Sequence, residues 1–415
     1  MEVSISNALS AVFSAPPHPV SPAVLSWLLA SVYIGAVVGA PVLGRIADHK
    51  GLQRTLAATL LWLGITSLLA FTQQVPLWFG FFRLLSGIAL GAYPPLMIAY
   101  LTAILPNSYR GLMIFRACAF AYLAPPLAIF LIHWLTPLHP LAIAGWRWPF
   151  ALAGGTAVGV SFGFMRLPDA PRWLSSLGRT QEAERVCQAF ERSPLLRIRG
   201  IGNTPMAGGP RPTSAVRWVP RAPVGRRLRR ARPFVVTLYF LHPWFTIAFP
   251  LLTGPMLLSR GHRLTDALLY IALATLGPVA GTFFTGAFVD RIDRRTALAI
   301  TCGVMALAVG AFFYSDESLT LAGAVIVFST GVAVYTPIMV TYGAELFPST
   351  TRASATTIAW AVNRLAAALV PLTMFPLFAA RGTFSVDLEV IFALLATIVL
   401  IGIFGPQGAA GKAIQ

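Results

Sequence analysis

The chain alternates between long apolar stretches and short polar connections along nearly its whole length. A helix needs about 20 predominantly apolar residues to cross the hydrocarbon core of a bilayer. Eleven stretches have about that length or more, near 23–44, 54–72, 77–103, 112–135, 149–166, 233–258, 264–289, 296–315, 319–345, 354–378 and 385–404. The pattern therefore predicts an all-α polytopic membrane protein with about eleven transmembrane helices.

The polar connections reveal an internal duplication. The segments GRIADHKGLQR and GAFVDRIDRR each follow an apolar stretch and combine a glycine, an acid and several cations. With an offset of 242 residues, Gly44 aligns with Gly286 and Asp48 aligns with Asp290. The same offset aligns the segments YLTAILPNSYRG and YGAELFPSTTRA without a gap. The chain is therefore expected to contain two homologous helical bundles.

The duplication divides the chain into two bundles joined by a polar segment. We assign residues 1–166 to an N-terminal bundle, 167–232 to a central loop, 233–405 to a C-terminal bundle and 406–415 to a tail. The first part of the central loop places apolar residues at helical spacing, which predicts a short amphipathic helix. The rest is rich in Gly, Pro and Arg without an apolar run, which predicts a basic linker.

The first helix is incomplete in this pattern. Shifted back by 242 residues, the span 233–258 would begin before residue 1. The remaining stretch, MEVSISNALSAVFSAPP, is too short and too weakly apolar to cross a bilayer. Since the duplication implies six helices in each half, we expect a truncated first helix, either because it was lost or because the true start lies upstream.

The composition supports a membrane protein and excludes other classes. Hydrophobic residues make up 56% of the 415 positions and charged residues 11%, whereas about a quarter of a soluble domain is charged. The net charge of +17 lies in the connections between spans, which argues against a nucleic-acid partner. The positive-inside rule then places the repeated loops, the central loop and the C-terminus in the cytoplasm. The three widely spaced cysteines indicate neither a disulfide framework nor a metal site, and no cofactor is expected.

Four segments together resemble a known transporter family. GAFVDRIDRR resembles the G-x-x-x-D-R-x-x-R-R loop of the major facilitator superfamily. PDAPRWLSSLGR, AELFPSTTRA and RLLSGIALG resemble elements of its sugar and organic-ion carriers, after helix six, after helix ten and in helix four. The resemblance implies two six-helix bundles around a central cavity that opens to each side of the membrane in turn. The first repeated loop departs from it, with His49 in place of an Arg and Leu52 and Gln53 in place of the Arg pair.

The repeated loops are candidates for a cytoplasmic latch. An Asp at a helix end can hold one closed state through charge-assisted hydrogen bonds to cations on a neighbouring helix. The candidate residues are Gly44, Asp48, Arg54 and Arg110 in the N-terminal half, and Gly286, Asp290, Arg291, Arg294, Arg295, Glu345 and Arg352 in the C-terminal half. The alternative is that these cations only fix the topology.

Polar residues within the spans are candidates for the substrate site, because an intramembrane charge is costly. Arg83 could bind an anionic substrate or pair with an acid, and the alternative is a snorkelling side chain. Arg364, which follows Asn363, lies near mid-span, where snorkelling is harder. His242 could titrate near neutral pH or pack as a neutral ring. Tyr93 completes the cavity candidates.

These features predict secondary active transport of a small polar metabolite by alternating access. Two intramembrane arginines, without a carboxylate away from a helix end, favour an organic anion. Proton coupling stays open, and a monomer in the bacterial inner membrane is expected. The alternatives are an efflux antiporter and a non-transporting remnant of a carrier. No nucleophile–base pair, P-loop or metal-ligand cluster stands out, so an enzyme is not expected.

Overall fold

The computed structural model describes residues 2–16, 20–104, 120–138, 143–169, 171, 174, 178–191, 226–281, 293–347 and 349–405. Within these ranges every regular element is a helix and no strand occurs. The predicted all-α fold is therefore confirmed.

The N-terminal half contains six of the described α-helices, and a seventh lies in the central loop. They are α1 (Glu2–Ser14), α2 (Pro22–Lys50), α3 (Leu52–Thr72), α4 (Pro76–Ile104), α5 (Ala124–Leu135), α6 (Trp148–Met165) and α7 (Thr180–Glu191). A 3-10 turn at Gly145–Arg147 leads into α6. The amphipathic helix expected after the sixth span corresponds to α7.

The C-terminal half contains the remaining described helices. They are α8 (Arg226–Thr246), α9 (Ala248–Ser259), α10 (Leu264–Ala274), α11 (Arg294–Tyr314), α12 (Ser318–Glu345), α13 (Ser349–Arg381) and α14 (Thr383–Phe404). The first two follow each other with a break at Ile247 and together supply one span, Ala231–Ser259.

Ten helical segments of the described chain are long and apolar enough to cross a membrane. Each matches one of the eleven predicted spans. The remaining predicted span, 112–135, is described only from residue 120, where it contains the shorter apolar helix α5. Large apolar side chains such as Leu307 and Ile403 are 76% and 70% exposed, as expected of faces that contact lipid.

Helix α1 occupies the place where the sequence pattern suggests a gap. Its 13 residues extend about 20 Å at the helical rise. It packs against α9 and α10 of the other half, and Ile5 and Leu9 are fully buried. A helix enclosed by protein can be short and partly polar, provided that its polar groups find partners.

The glycines of the fourth-helix motif and of α2 bring two backbones together. A Cβ atom on Gly35 would lie 2.1 Å from the carbonyl oxygen of Leu84, and one on Gly39 would lie 1.8 Å from that of Ile88. Gly87 of α4 meets the α2 backbone in the same way, at the carbonyl oxygen of Val32. Only glycine permits this separation, which is typical of membrane helix pairs.

The C-terminal half repeats this contact in the same register. A Cβ atom on Gly277 would lie 2.6 Å from the carbonyl oxygen of Ile326, and one on Gly281 would lie 3.0 Å from the side chain of Thr330. Each of these four positions follows its N-terminal counterpart by 242 residues. The duplication therefore extends from the loops to the packing of the helices.

Candidate functional site

A cavity of about 210 Å³ lies between the two halves. Its wall combines residues of α1, α2 and the segment around α5 with residues of α8, α9, α12 and the span that begins with α10. The described lining residues are Ser4, Asn7, Tyr33, Tyr122, Pro125, Thr246, Ile247, Phe249, Pro250, Thr253, Ile271, Ala274, Thr275, Pro278, Val325, Ser329 and Val332.

The lining includes three pairs of positions that the duplication makes equivalent. The pairs are Ser4 with Thr246, Asn7 with Phe249, and Tyr33 with Thr275, each separated by 242 residues. When two repeats face each other across an axis along the membrane normal, equivalent positions meet at that axis. The cavity therefore lies at the centre of the duplicated structure.

The wall of the cavity is mostly apolar, with a minority of uncharged polar groups. Hydroxyl groups of Ser, Thr and Tyr and the amide of Asn7 supply donors and acceptors, and no described lining residue carries a formal charge. The two halves differ at their equivalent positions: Asn7 and Tyr33 of the N-terminal half correspond to Phe249 and Thr275 of the C-terminal half. A ligand would therefore meet unlike surfaces on its two sides.

Arg364 lies beside the cavity, although it is not among the residues that line it. Its guanidinium carbon lies 5.5 Å from the centre of the Trp360 ring, which is a cation–π distance. Its charge is also within electrostatic reach of Tyr33 on the cavity wall and of His242. The position equivalent to Arg364 in the other half is Tyr122, which lines the cavity.

Arg83 is fully buried within the N-terminal half, which rules out the snorkelling alternative. Its Nη2 atom donates a 2.6 Å hydrogen bond to Ser6 Oγ of α1. Its guanidinium carbon lies 5.9 Å and 5.6 Å from the rings of Phe79 and Phe150. Arg83 therefore ties α4 to α1. It is not among the residues that line the cavity, although its charge, like that of Arg364, is within electrostatic reach of Tyr33 on the cavity wall.

His242 and Asn363 form a polar network that joins α8, α12 and α13. The Nδ2 atom of Asn363 lies 2.9 Å from the carbonyl oxygen of Tyr239 and 3.1 Å from Nδ1 of His242. Because the Tyr239 carbonyl can only accept a hydrogen bond, the amide of Asn363 must direct its NH2 group towards it. The same NH2 group also donates to His242 Nδ1, which must therefore be an acceptor. The proton of the ring is thereby assigned to Nε2, which lies 3.1 Å from the hydroxyl of Thr336. The geometry describes a neutral imidazole.

The remaining cavity candidate, Tyr93, lies elsewhere. It is partly buried and packs against a cluster of α2, α3 and α4 residues in the N-terminal half. The structure therefore brings His242, Asn363 and Arg364 together next to the cavity, while Tyr93 and Arg83 lie inside the N-terminal bundle.

Several latch candidates fall where the structure gives no side-chain detail. Gly286, Asp290, Arg291 and Arg110 lie outside the described residues, and Asp48, Glu345 and Arg352 are described only as parts of α2, α12 and α13. Of the others, Arg54 is exposed, Arg294 and Arg295 are partly buried, and nothing lies within 4 Å of a Cβ atom built on Gly44.

The described side chains show a contact that sequence reasoning missed. The backbone N–H of Gln53, at the start of α3, donates to Asp169 Oδ1 at 3.1 Å, and its side chain donates to the carbonyl oxygen of Phe164 at 2.6 Å. Arg295, at the position equivalent to Gln53, donates to the carbonyl oxygen of Gly402. In each half this position joins the repeated loop to the end of the sixth span.

Sequence analysis also did not single out Asp387, a buried carboxylate close to the start of α14 (Thr383–Phe404) and therefore near a helix end. Asp387 of α14 is 2% exposed and lies within electrostatic reach of Arg260. Arg260 Nη1 donates to the carbonyl oxygen of Phe312 at 2.8 Å. The hydropathy pattern hides this acid because the apolar Val386 and Leu388 flank it. Asp387 does not line the cavity.

Comparison with known proteins is consistent with this geometry. Over 391 residues the chain is 27% identical to the inner membrane metabolite transport protein YgcS of Escherichia coli, covering 93% of this chain and 82% of YgcS. It is 25% identical to the niacin transporter NiaP of Acinetobacter baylyi, covering 95% of this chain and 88% of NiaP.

The fold is similar to that of solved transporter structures. A partially occluded, inward-open structure of the xylose transporter XylE from E. coli superposes with a TM-score of 0.75 at 18% identity, covering 99% of this chain and 95% of XylE. The family model described as Major Facilitator Superfamily matches residues 3–371. The chain therefore belongs to the Major Facilitator Superfamily and is a multi-pass membrane transporter rather than an enzyme.

Proposed function

We propose that this protein carries a small organic anion across the bacterial inner membrane by alternating access. The observation that carries the proposal is the central cavity, which both halves line at equivalent positions and beside which Arg364 lies. Moving the two halves relative to each other would expose such a cavity to one side and then to the other.

The preference for an anion rests on Arg364. A guanidinium binds a carboxylate with two parallel hydrogen bonds, and the hydroxyl of Tyr33 could donate to the same carboxylate. The guanidinium carbon lies at a cation–π distance over the Trp360 ring. Among the relatives, NiaP is named as a niacin transporter, and niacin is a small aromatic carboxylate.

A neutral polyol or sugar is the second candidate, because no described lining residue is charged. The hydroxyl and amide groups of the cavity wall can bind the hydroxyl groups of a sugar or polyol as well as they bind a carboxylate. Relatives named as polyol transporters of Arabidopsis thaliana and an arabinose-proton symporter of Bacillus subtilis belong to this class. The two candidates differ in their need for the charge of Arg364.

The proposal includes the latch, the orientation and the coupling ion. With the repeated loops in the cytoplasm, the contacts of α1 with α9 and of α5 with α10 would close the periplasmic end. The loops would latch the cytoplasmic end through Asp48 and Asp290 with their neighbouring arginines. Protons are proposed as the coupling ion by analogy with the symporter relatives, and a monomer is proposed as the working unit.

Counterflow of labelled solutes in proteoliposomes tests the proposal. The unmodified protein should accumulate a labelled aromatic or aliphatic monocarboxylate more than labelled xylitol or xylose. Arg364→Gln should abolish this accumulation, Arg364→Lys should retain part of it, and Arg381→Gln, at the exposed end of the same helix, should not affect it.

Two results would redirect the proposal. Accumulation of xylitol but not of carboxylates, unchanged in Arg364→Gln, would favour the polyol alternative. Accumulation of neither class by folded protein would favour the non-transporting alternative, while exchange restricted to bulky apolar cations would favour efflux.

A further inference from the structure

Among the four prolines of helices α8 and α9, Pro243 and Pro255 each remove a backbone donor within a buried part of the helix. Because proline has no N–H, the carbonyl four residues earlier loses its helical partner. Pro243 thereby frees the carbonyl of Tyr239, and Pro255 frees the carbonyl of Leu251. Both residues are fully buried, so their carbonyl groups need another donor.

In the structure, side chains from two other helices supply these donors. Asn363 Nδ2 of α13 lies 2.9 Å from the carbonyl oxygen of Tyr239. Ser10 Oγ of α1 lies 2.5 Å from the carbonyl oxygen of Leu251. Asn363 and Ser10 are themselves 3% and 0% exposed, so neither bond competes with bulk water. Each donor therefore replaces a bond that a proline has removed.

The two bonds differ in which parts of the molecule they join. Asn363 and Tyr239 both belong to the C-terminal half, so this bond persists if that half moves as a rigid body. Ser10 belongs to the N-terminal half and Leu251 to the C-terminal half, so the second bond must break if the two halves separate at this end. Ser10 has a second acceptor on its own helix, the carbonyl oxygen of Asn7 at 2.7 Å, which can receive its proton after separation.

We propose that Asn363 and Ser10 are positioning residues that replace the N–H groups missing at Pro243 and Pro255, and that the Ser10–Leu251 bond is a releasable contact between the halves. Asn363 sets the register of α13 against α8, which places the adjacent Arg364 beside Tyr33. Ser10 joins α1 to α9 near the ends of these two helices and so keeps this end of the cavity closed. The releasable role rests on the proposed alternating access, whereas the replacement of the missing donors does not.

Thermal unfolding of the purified protein tests the replacement. Ser10→Ala leaves the Leu251 carbonyl without its donor and should lower Tm by about 2–4 °C. Pro255→Ala restores the helical N–H, so Tm of the double variant should recover most of that loss. Ser31→Ala is the matched control, because the Ser31 hydroxyl is buried and bonds its own helix at Leu28; adding Pro255→Ala should not change its effect.

The same double-mutant cycle, of two single variants and their combination, can be applied within the C-terminal half. Asn363→Ala should lower Tm, and Pro243→Ala should recover most of that loss in the double variant. Effects that simply add in both cycles, with no recovery, would overturn the proposed replacement.

Labelling of the cavity tests the releasable contact. In a variant in which Cys118, Cys187 and Cys302 are serine, Thr253→Cys places one thiol on the cavity wall. Reaction of intact cells with a membrane-impermeant maleimide reports how often the periplasmic end opens.

Ser10→Ala should increase the labelling rate several-fold, and Pro255→Ala should not reverse this increase, because the restored N–H does not join the halves. Asn363→Ala should leave the rate close to that of the parent. A labelling rate unchanged by Ser10→Ala would overturn the releasable contact. Neither readout requires a substrate, so a failure to transport anions would leave both results interpretable.

Discussion

Replacing Gly39 by alanine is predicted to destabilise the N-terminal half by forcing α2 and α4 apart. A Cβ atom at this position would lie 1.8 Å from the carbonyl oxygen of Ile88, whereas an ordinary contact needs about 3.5 Å. The helices must therefore separate by roughly 1.5 Å along their closest line of contact. Because the obstacle is backbone, no side chain can rotate away to relieve it.

The size of the effect follows from two opposing contributions. Overpacking of this kind costs about 1–3 kcal/mol, and removing a glycine from a helix interior returns about 0.5–1 kcal/mol. Because the obstacle is backbone, the overpacking cost lies near its upper value, and the net loss is about 2 kcal/mol. This corresponds to a decrease in Tm of about 4–8 °C for a half of this size.

The helical circular dichroism signal, followed during a thermal ramp, can measure this change. Gly155→Ala is the matched control, because nothing lies within 4 Å of a Cβ atom on Gly155; its Tm should be equal to or above that of the parent. Gly281→Ala should have a smaller effect than Gly39→Ala, since its nearest contact is a Thr330 methyl group at 3.0 Å. Equal Tm values for Gly39→Ala and Gly155→Ala would refute the close packing of α2 and α4.

Three further predictions concern polar groups. Asp169→Ala should lower Tm and increase proteolysis near residue 51, because the carboxylate accepts from the backbone N–H of Gln53 at the start of α3; limited proteolysis followed by mass mapping checks this. His242→Asn should lower Tm without changing the pH dependence of transport, because the ring is held neutral between Asn363 and Thr336; a shifted pH profile would contradict that assignment. Asp387→Asn should retain transport, since Asp387 lies outside the cavity lining, and loss of counterflow in a folded variant would contradict its exclusion from the pathway.

Much of the fold could be predicted because membrane helices have simple sequence requirements. Apolar length locates the spans, and the 242-residue offset between Gly44 and Gly286 carries over to the packing of Gly39 and Gly281, since duplicated helices pack through duplicated contacts. Helix α1 was harder to recognise, because a helix enclosed by protein does not need the uniform apolarity of one that faces lipid.

The candidate site was only partly predictable, because its contacts join residues far apart in the chain. Hydropathy identifies Arg364 as an unusual residue but does not show that it lies beside Tyr33. The role of His242 depends on Asn363 and Thr336, which belong to two other helices. A single serine such as Ser10 does not stand out in the sequence. Its role becomes visible only in the structure, where it donates to the Leu251 carbonyl that lacks a helical donor because of Pro255.

The most direct test of the central claim is to block the cavity and measure solute exchange. Thr275 and Tyr33 occupy equivalent positions on the cavity wall, and Thr275→Trp would fill much of the available space. In proteoliposomes, the account predicts that the parent exchanges a labelled monocarboxylate and that Thr275→Trp, monodisperse and with an unchanged helical content, does not. Undiminished exchange by Thr275→Trp would contradict the account, because the solute would then cross the membrane by a route other than this cavity.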